Sequence, residues 1–205
     1  MNGYRFVRGL ALCYAKLFHR MSVVGRENEP LDGGCVVISN HSSFLDPVLV
    51  AAAIKRDIYF MGKSDLLKHK FMQWVFKICN VIPVHRGESD IAALRKTCEI
   101  VDSGKMTGIF PQGTRIRCSA PEINTVQAGI GLVGARTKAP MLPVTICYGK
   151  KNNRPRVFRK VTVVIGKPVS YEEYALENGE RKTSQDIAKY AFTIVCHQFT
   201  EYNHG

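Results

Sequence analysis

The chain reads as a single α/β domain: a mixed, mostly parallel central sheet covered by helices, with an amphipathic helix at its N-terminus. Three observations predict this. Beyond residue 30, short β-branched runs alternate with helical stretches, the rhythm of a sheet whose connections are helices. The 205 residues, 45% of them hydrophobic, suffice for one sizeable core but not for two full domains. The Gly/Pro signals at Gly33-Gly34, Pro111 to Gly113 and Asn152 to Pro155 are loop-length punctuation rather than linkers. The expected organisation is an amphipathic segment over residues 1–24 and a core over residues 25–205.

Along the chain, Val7, Leu10, Tyr14, Leu17, Phe18 and Met21 recur at helical spacing, with Arg5, Arg8, Lys16 and Arg20 between them. Such a stripe suits packing on the domain's own core and lying in a lipid interface equally well. The basic residues interrupt it too often for a signal peptide or for a spanning run of about 20 apolar residues. A cytoplasmic protein, peripheral on the inner face of the cell membrane, is the expectation. Strands are predicted at Cys35 to Ser39, Ile58 to Met61, Val81 to His85, Thr107 to Phe110, Met141 to Cys147 and Val161 to Ile165. Helices fit at Pro47 to Ile54, Phe71 to Ile78, Ile91 to Val101, Ala128 to Thr137 and Ser184 to Tyr202.

Charge narrows the partners. Lysine and arginine number 29 against 17 acidic residues, a formal +12, so the surface attracts anions. The cations cluster near the N-terminus and again at Lys150, Lys151, Arg154, Arg156, Arg159 and Lys160, which suggests one charged face. Anionic lipid and acidic proteins fit such a face. No nucleic acid is expected, because the chain has no recognition motif and no aromatic-and-basic alternation for stacking on bases. Seven widely spaced cysteines show no zinc or redox spacing and are expected to be reduced and mostly buried.

The most informative stretch is Asn40-His41-Ser42-Ser43-Phe44-Leu45-Asp46-Pro47, which follows an apolar strand and precedes a helix. Side chains at such strand ends face a crevice. Histidine suits proton removal near neutral pH and needs a second group to fix its tautomer, a role open to Asp46 if a tight turn brings the carboxylate back to the ring. Residue statistics favour a plainer reading, in which Asp46 before Pro47 caps the helix. Ser42 and Ser43 lack the glycine-flanked elbow of a serine nucleophile and read as loop residues. A second stretch, Phe110-Pro111-Gln112-Gly113-Thr114-Arg115, joins a small-residue turn to a guanidinium whose planar fork suits phosphate oxygens.

From about Gly25 to Pro168 the chain resembles the glycerolipid acyltransferases, the family typified by 1-acylglycerol-3-phosphate acyltransferase. The resemblance rests on four ordered blocks: Asn40 to Pro47, Val81 to Arg86, Phe110 to Arg115, and Ala139-Pro140-Met141-Leu142-Pro143-Val144. It implies His41 as general base with Asp46 orienting it, and Arg86 with Arg115 as a phosphate clamp. Gln112, Gly113 and Thr114 would then line the substrate. Further implications are a thioester donor, acyl-CoA or acyl carrier protein, a lysophospholipid acceptor, a membrane surface with anionic lipid, and neither a metal nor a cofactor. Gln112 and Gln127 depart from the family pattern, as does Val84-His85 before Arg86, where an acidic approach is more usual. Gln112 stands where glutamate is usual, keeping an acceptor for a substrate hydroxyl or the backbone but losing an anion, and Gln127 lies where lysine is common. Gln112 is the one feature that favours a noncatalytic lipid-binding protein on the same scaffold, and acylation of another lysophospholipid or an amine-bearing lipid is a further alternative.

Overall fold

Every residue of Cys35–Ser39 and of Met141–Cys147 is buried, so both runs must lie inside a sheet covered on two faces. The protein is described here by a computed structural model covering residues 3–84, 91–117, 119–149 and 153–203. In chain order, α1 (Gly3–His19) leads to β1 (Ser22–Val24), β2 (Cys35–Ser39), α2 (Asp46–Ala53) and β3 (Ile58–Lys63). A short 3-10 turn at Ser64–Lys68 precedes α3 (Lys70–Ile78), β4 (Ile82–Val84), α4 (Ile91–Asp102) and β5 (Met106–Ile109). After α5 (Gly129–Thr137) come β6 (Met141–Cys147), β7 (Thr162–Ile165) and α6 (Tyr171–Ala175). A small hairpin, β8 (Leu176–Glu177) and β9 (Glu180–Arg181), leads into α7 (Ser184–Tyr202).

The main sheet has seven strands in the order β1-β7-β6-β2-β5-β3-β4. All neighbours pair in parallel except β6 with β7. Strand alternation divides the core in two. Cys35, Val37, Leu142, Val144 and Ile146 face one way, onto Leu49, Val50 and Ala53 of α2 and Ala15 of α1. Val36, Ile38 and Met141 face the other way, onto Ile130 and Val133 of α5 and onto Ile187, Ala191, Phe192 and Val195 of α7. The connection after β2 therefore leaves over one face of the sheet, while that after β5 leaves over the opposite face. Adjacent parallel strands whose connections diverge in this way open a crevice at their carboxyl ends.

The predicted strands and helices all appear within the described residues, with small shifts at their ends. His85 and Arg86, together with Lys150 and Lys151, lie outside the described residues. Four of these elements had not been predicted: β1, the two strands of the small hairpin, and α6. β1 and the small hairpin are too short to show a period, whereas α6 carries a legible signal, a capping box in which the Ser170 side chain accepts from the Glu173 N–H while Glu173 returns the bond.

The predicted stripe of α1 divides between two environments. Its core side is built from Tyr4, Ala15 and His19 with half-buried Ala11 and Leu12, and the small side chains of Ala11 and Ala15 let the helix lie close on α2. Leu10, Tyr14 and Leu17 of the stripe are exposed instead, along with Phe6. The described cysteines are also less hidden than expected, while Cys118 lies outside the described residues. Cys35 and Cys147 are buried, Cys79, Cys98 and Cys196 are half-buried, and Cys13 is exposed.

Burial raises the Cys35 and Cys147 thiols, and the Tyr4 hydroxyl, to about 12. These groups hold their protons more tightly folded than unfolded, so their contribution to stability is complete below the unfolded values and is lost as pH rises through the folded ones. Urea unfolding between about pH 8 and about pH 11 is expected to show stability falling steadily from the thiol and phenol range upward. A flat profile across that range would contradict these assignments.

Candidate active site

The crevice at the ends of β2 and β5 is built around one turn. Asn40, at the close of β2, is fixed to β6 by a pair of bonds: its Nδ2 donates to the Ile146 carbonyl at 2.9 Å, and the Ile146 N–H donates to its Oδ1 at 2.8 Å. With Asn40 anchored, the chain turns through Ser42 and Ser43 and enters α2 at Asp46. Proline at the second helical residue costs nothing there, because that N–H has no intrahelical partner.

Asp46 is fully buried, and four donors converge on it. Its Oδ2 accepts from the Ser42 N–H at 2.6 Å and the Ser43 N–H at 2.7 Å, and lies 2.8 Å from His41 Nδ1. The Tyr148 hydroxyl donates to Oδ1 at 2.6 Å. The helix-cap reading of Asp46 is thereby overturned: the residue is already helical, and its carboxylate turns back to the preceding loop instead of capping its own helix. A carboxylate beside Nδ1 holds the ring proton on that nitrogen and leaves Nε2 as the basic one. The ring itself is packed against Phe110, with centroids 4.3 Å apart and planes 23° from parallel, and Phe110 stacks in turn on Phe60.

The second block supports this turn from the neighbouring strand. Gln112 is 2% exposed and both ends of its amide are engaged within the protein. Its Oε1 accepts from the His41 backbone N–H at 2.9 Å, and its Nε2 donates to Thr125 Oγ1 at 3.2 Å. Farther along, the Ile116 N–H donates to the His41 carbonyl at 2.8 Å. Gly113 has a φ of 65°, a left-handed conformation that favours glycine, and it packs against the end of the Gln127 side chain. Its N–H is committed to the Phe110 carbonyl. Thr114 is exposed and Arg115 half-buried at the crevice rim, where the guanidinium carbon lies 3.4 Å from the centre of the Phe44 ring. The structure thus joins His41, Asp46 and Gln112 in one hydrogen-bonded unit and sets Gly113, Thr114 and Arg115 at its edge. Arg86 lies outside the described residues.

A model of the acyltransferase family matches residues 20–147, a span that contains His41, Asp46 and the segment from Gln112 to Arg115. The chain belongs to the acyltransferase family. Among its relatives within that family is the 1-acyl-sn-glycerol-3-phosphate acyltransferase of Bacillus subtilis, 25% identical over 175 residues that cover 84% of this chain and 85% of that one. The chloroplastic 1-acyl-sn-glycerol-3-phosphate acyltransferase BAT2 of Brassica napus is 28% identical over 132 residues, 63% of this chain and 38% of the plant protein. In three dimensions the chain superposes on the 1-acyl-sn-glycerophosphate acyltransferase PlsC of Thermotoga maritima with a TM-score of 0.74, covering 97% of this chain and 78% of that one at 24% identity. That likeness establishes the fold.

Two parts of this acyltransferase's site had not been read from sequence. Tyr148 stands 102 residues beyond Asp46, and Asn153, whose Oδ1 accepts from the Tyr148 N–H, backs it from the next loop. Tyr148 follows the carboxyl end of β6, and its strand-end position was the available signal. Burial, and then the Asp46 charge, push its hydroxyl far above the usual phenol range, so it remains a neutral donor at working pH. Among the described residues, no group of histidine, cysteine or acidic side chains is arranged to hold a metal ion.

Replacing Tyr148 by phenylalanine takes a donor from a buried carboxylate oxygen. The expected cost is about 1–3 kcal/mol of folding stability, read by urea unfolding, with the fold retained. A Tyr148→Phe protein as stable as the native one would show that Asp46 does not depend on this bond.

Proposed function

We propose that the protein transfers a fatty acyl group from a thioester to the free hydroxyl of 1-acylglycerol-3-phosphate, giving phosphatidic acid. Residues 25–205 form its catalytic core, and residues 1–24 associate with the membrane on its cytoplasmic face. The observation that carries this reading is the His41–Asp46 pair, 2.8 Å apart and seated at the carboxyl ends of parallel strands. The names of the relatives support the acceptor, and the half-buried Arg115 at the rim supplies a guanidinium for its phosphate. Arg86 is proposed as the second half of that clamp.

In the proposed reaction, His41 Nε2 takes the proton of the acceptor hydroxyl as its oxygen attacks the thioester carbonyl. The tetrahedral intermediate collapses with cleavage of the carbon–sulfur bond, and the imidazolium returns its proton to the departing thiolate. Asp46 stabilises the imidazolium between these steps, and no acyl-enzyme forms. Gln112 contributes by holding the His41 backbone, a task that a neutral amide performs through both its ends. That use of the neutral amide is compatible with catalysis and supports this reading over a noncatalytic scaffold. The donor is acyl-CoA or acyl carrier protein, both anionic, and the exposed Arg154, Arg156, Arg159 and Lys160 suit either one.

The test is acyl transfer from labelled acyl-CoA and acyl carrier protein to a panel of glycerol phosphate and lysophospholipid acceptors. The native protein is expected to prefer 1-acylglycerol-3-phosphate, and His41→Ala to lose at least about 10³-fold in kcat/KM. Gln112→Glu should stay within about tenfold of native, since the acceptor for the His41 N–H is kept. A native protein inactive with every pair, while still binding anionic lipid, would refute the proposal.

A further inference from the structure

Helix α3 is packed by one side only. Phe76 is buried beneath it, its ring filling the space over Gly62. On the other side Phe71 is 69% exposed and Trp74 is 54% exposed, with their rings stacked 6.0 Å apart. Two large aromatic side chains one turn apart thus stand largely in water, a placement that soluble surfaces seldom tolerate without a use.

The charges around them have one sign. Lys70 and Lys77 lie on α3, Lys68 closes the turn before it, and the helix contains no acidic residue. Asp65 in that turn is paired with Lys63. Next to α3, the first turn of α1 reaches Ile78, and α1 is likewise free of acidic residues while exposing Phe6, Leu10, Tyr14 and Leu17. Aromatic rings flanked by lysines, on a helix lying flat on the domain, match the boundary between anionic headgroups and acyl chains.

Position adds a second line. α3 begins just beyond the carboxyl end of β3, the strand whose Phe60 stacks on Phe110, the ring that packs against His41. The start of α3 therefore lies at the same end of the sheet as the crevice. Phe44 in the His41–Asp46 turn and Val157 and Phe158 in the loop before β7 are exposed at that end too.

We propose that α3 is a lipid-surface anchor in its own right, with Phe71 and Trp74 seated among anionic headgroups and Lys68, Lys70 and Lys77 holding them there. This deepens the reading of a lipid acceptor, because it seats the carboxyl end of the sheet against the bilayer from which that acceptor arrives. Trp74 is the protein's only tryptophan, so its emission reports on α3 alone.

The experiment adds the full chain to vesicles of phosphatidylcholine with and without phosphatidylglycerol, following Trp74 emission and its quenching by brominated acyl chains. A blue shift and quenching are expected with phosphatidylglycerol and not without it. Lys70→Gln combined with Lys77→Gln should weaken vesicle binding by roughly 30-fold. Vesicle sedimentation with Trp74 emission unmoved would assign attachment to α1 and overturn the proposal. So would an emission change produced only by acyl carrier protein, or no binding at all. No turnover is required, so an inactive protein can still satisfy the test and an active one can still fail it.

Discussion

A buried carboxylate must be satisfied from every side, and Asp46 is satisfied by four donors drawn from two parts of the chain. The Ser42 and Ser43 N–H groups close the turn on it, His41 presents its ring, and Tyr148 reaches in from the far end of β6. An unpaired charge at this depth would be strongly destabilising, so the geometry of the turn, the entry into α2 and the ring orientation of His41 are set together. The same bonds that keep the carboxylate in place also aim it at His41 Nδ1, the contact on which the proposed base chemistry rests.

That arrangement depends on the sheet. The double hydrogen bond from Asn40 to Ile146 ties the His41 turn to β6, and Gln112 and Ile116 tie it to the segment after β5. The three strands β6, β2 and β5 are adjacent, so their ends meet over a single crevice although their sequences lie about 70 and about 100 residues from one another's chemistry. Gln112 illustrates the consequence. Its loss of charge looks, in sequence, like a change in the chemistry of the site. In the fold it is a neutral bridge between the His41 backbone and Thr125, accepting from one and donating to the other.

The fold was legible where burial writes long signals. The doubly covered strands β2 and β6 are mostly apolar runs, with Ser39 closing the first and Pro143 and Thr145 inside the second, and α7 keeps its period over 19 residues. β1, with three residues, carries no such pattern, and only pairing with β7 makes it a strand. The stripe of α1 was visible, but not its direction, because Ala11 and Ala15 build the core side while larger apolar residues face out. At the site, spacing pointed to His41 and Asp46 but suggested a cap for the latter. Which N–H groups a carboxylate accepts from is a property of the turn, not of the residue types. Tyr148 stayed hidden because its partner is 102 residues away.

In the proposed mechanism the Asp46 charge, held beside His41 Nδ1, makes His41 a base. Asp46→Asn tests it most directly, since it keeps the shape of the side chain and removes the charge. Acyl transfer to 1-acylglycerol-3-phosphate is expected to fall about 10³- to 10⁴-fold, with circular dichroism and acceptor binding unchanged. Transfer within tenfold of native by a folded Asp46→Asn protein would show that the site works without this pair.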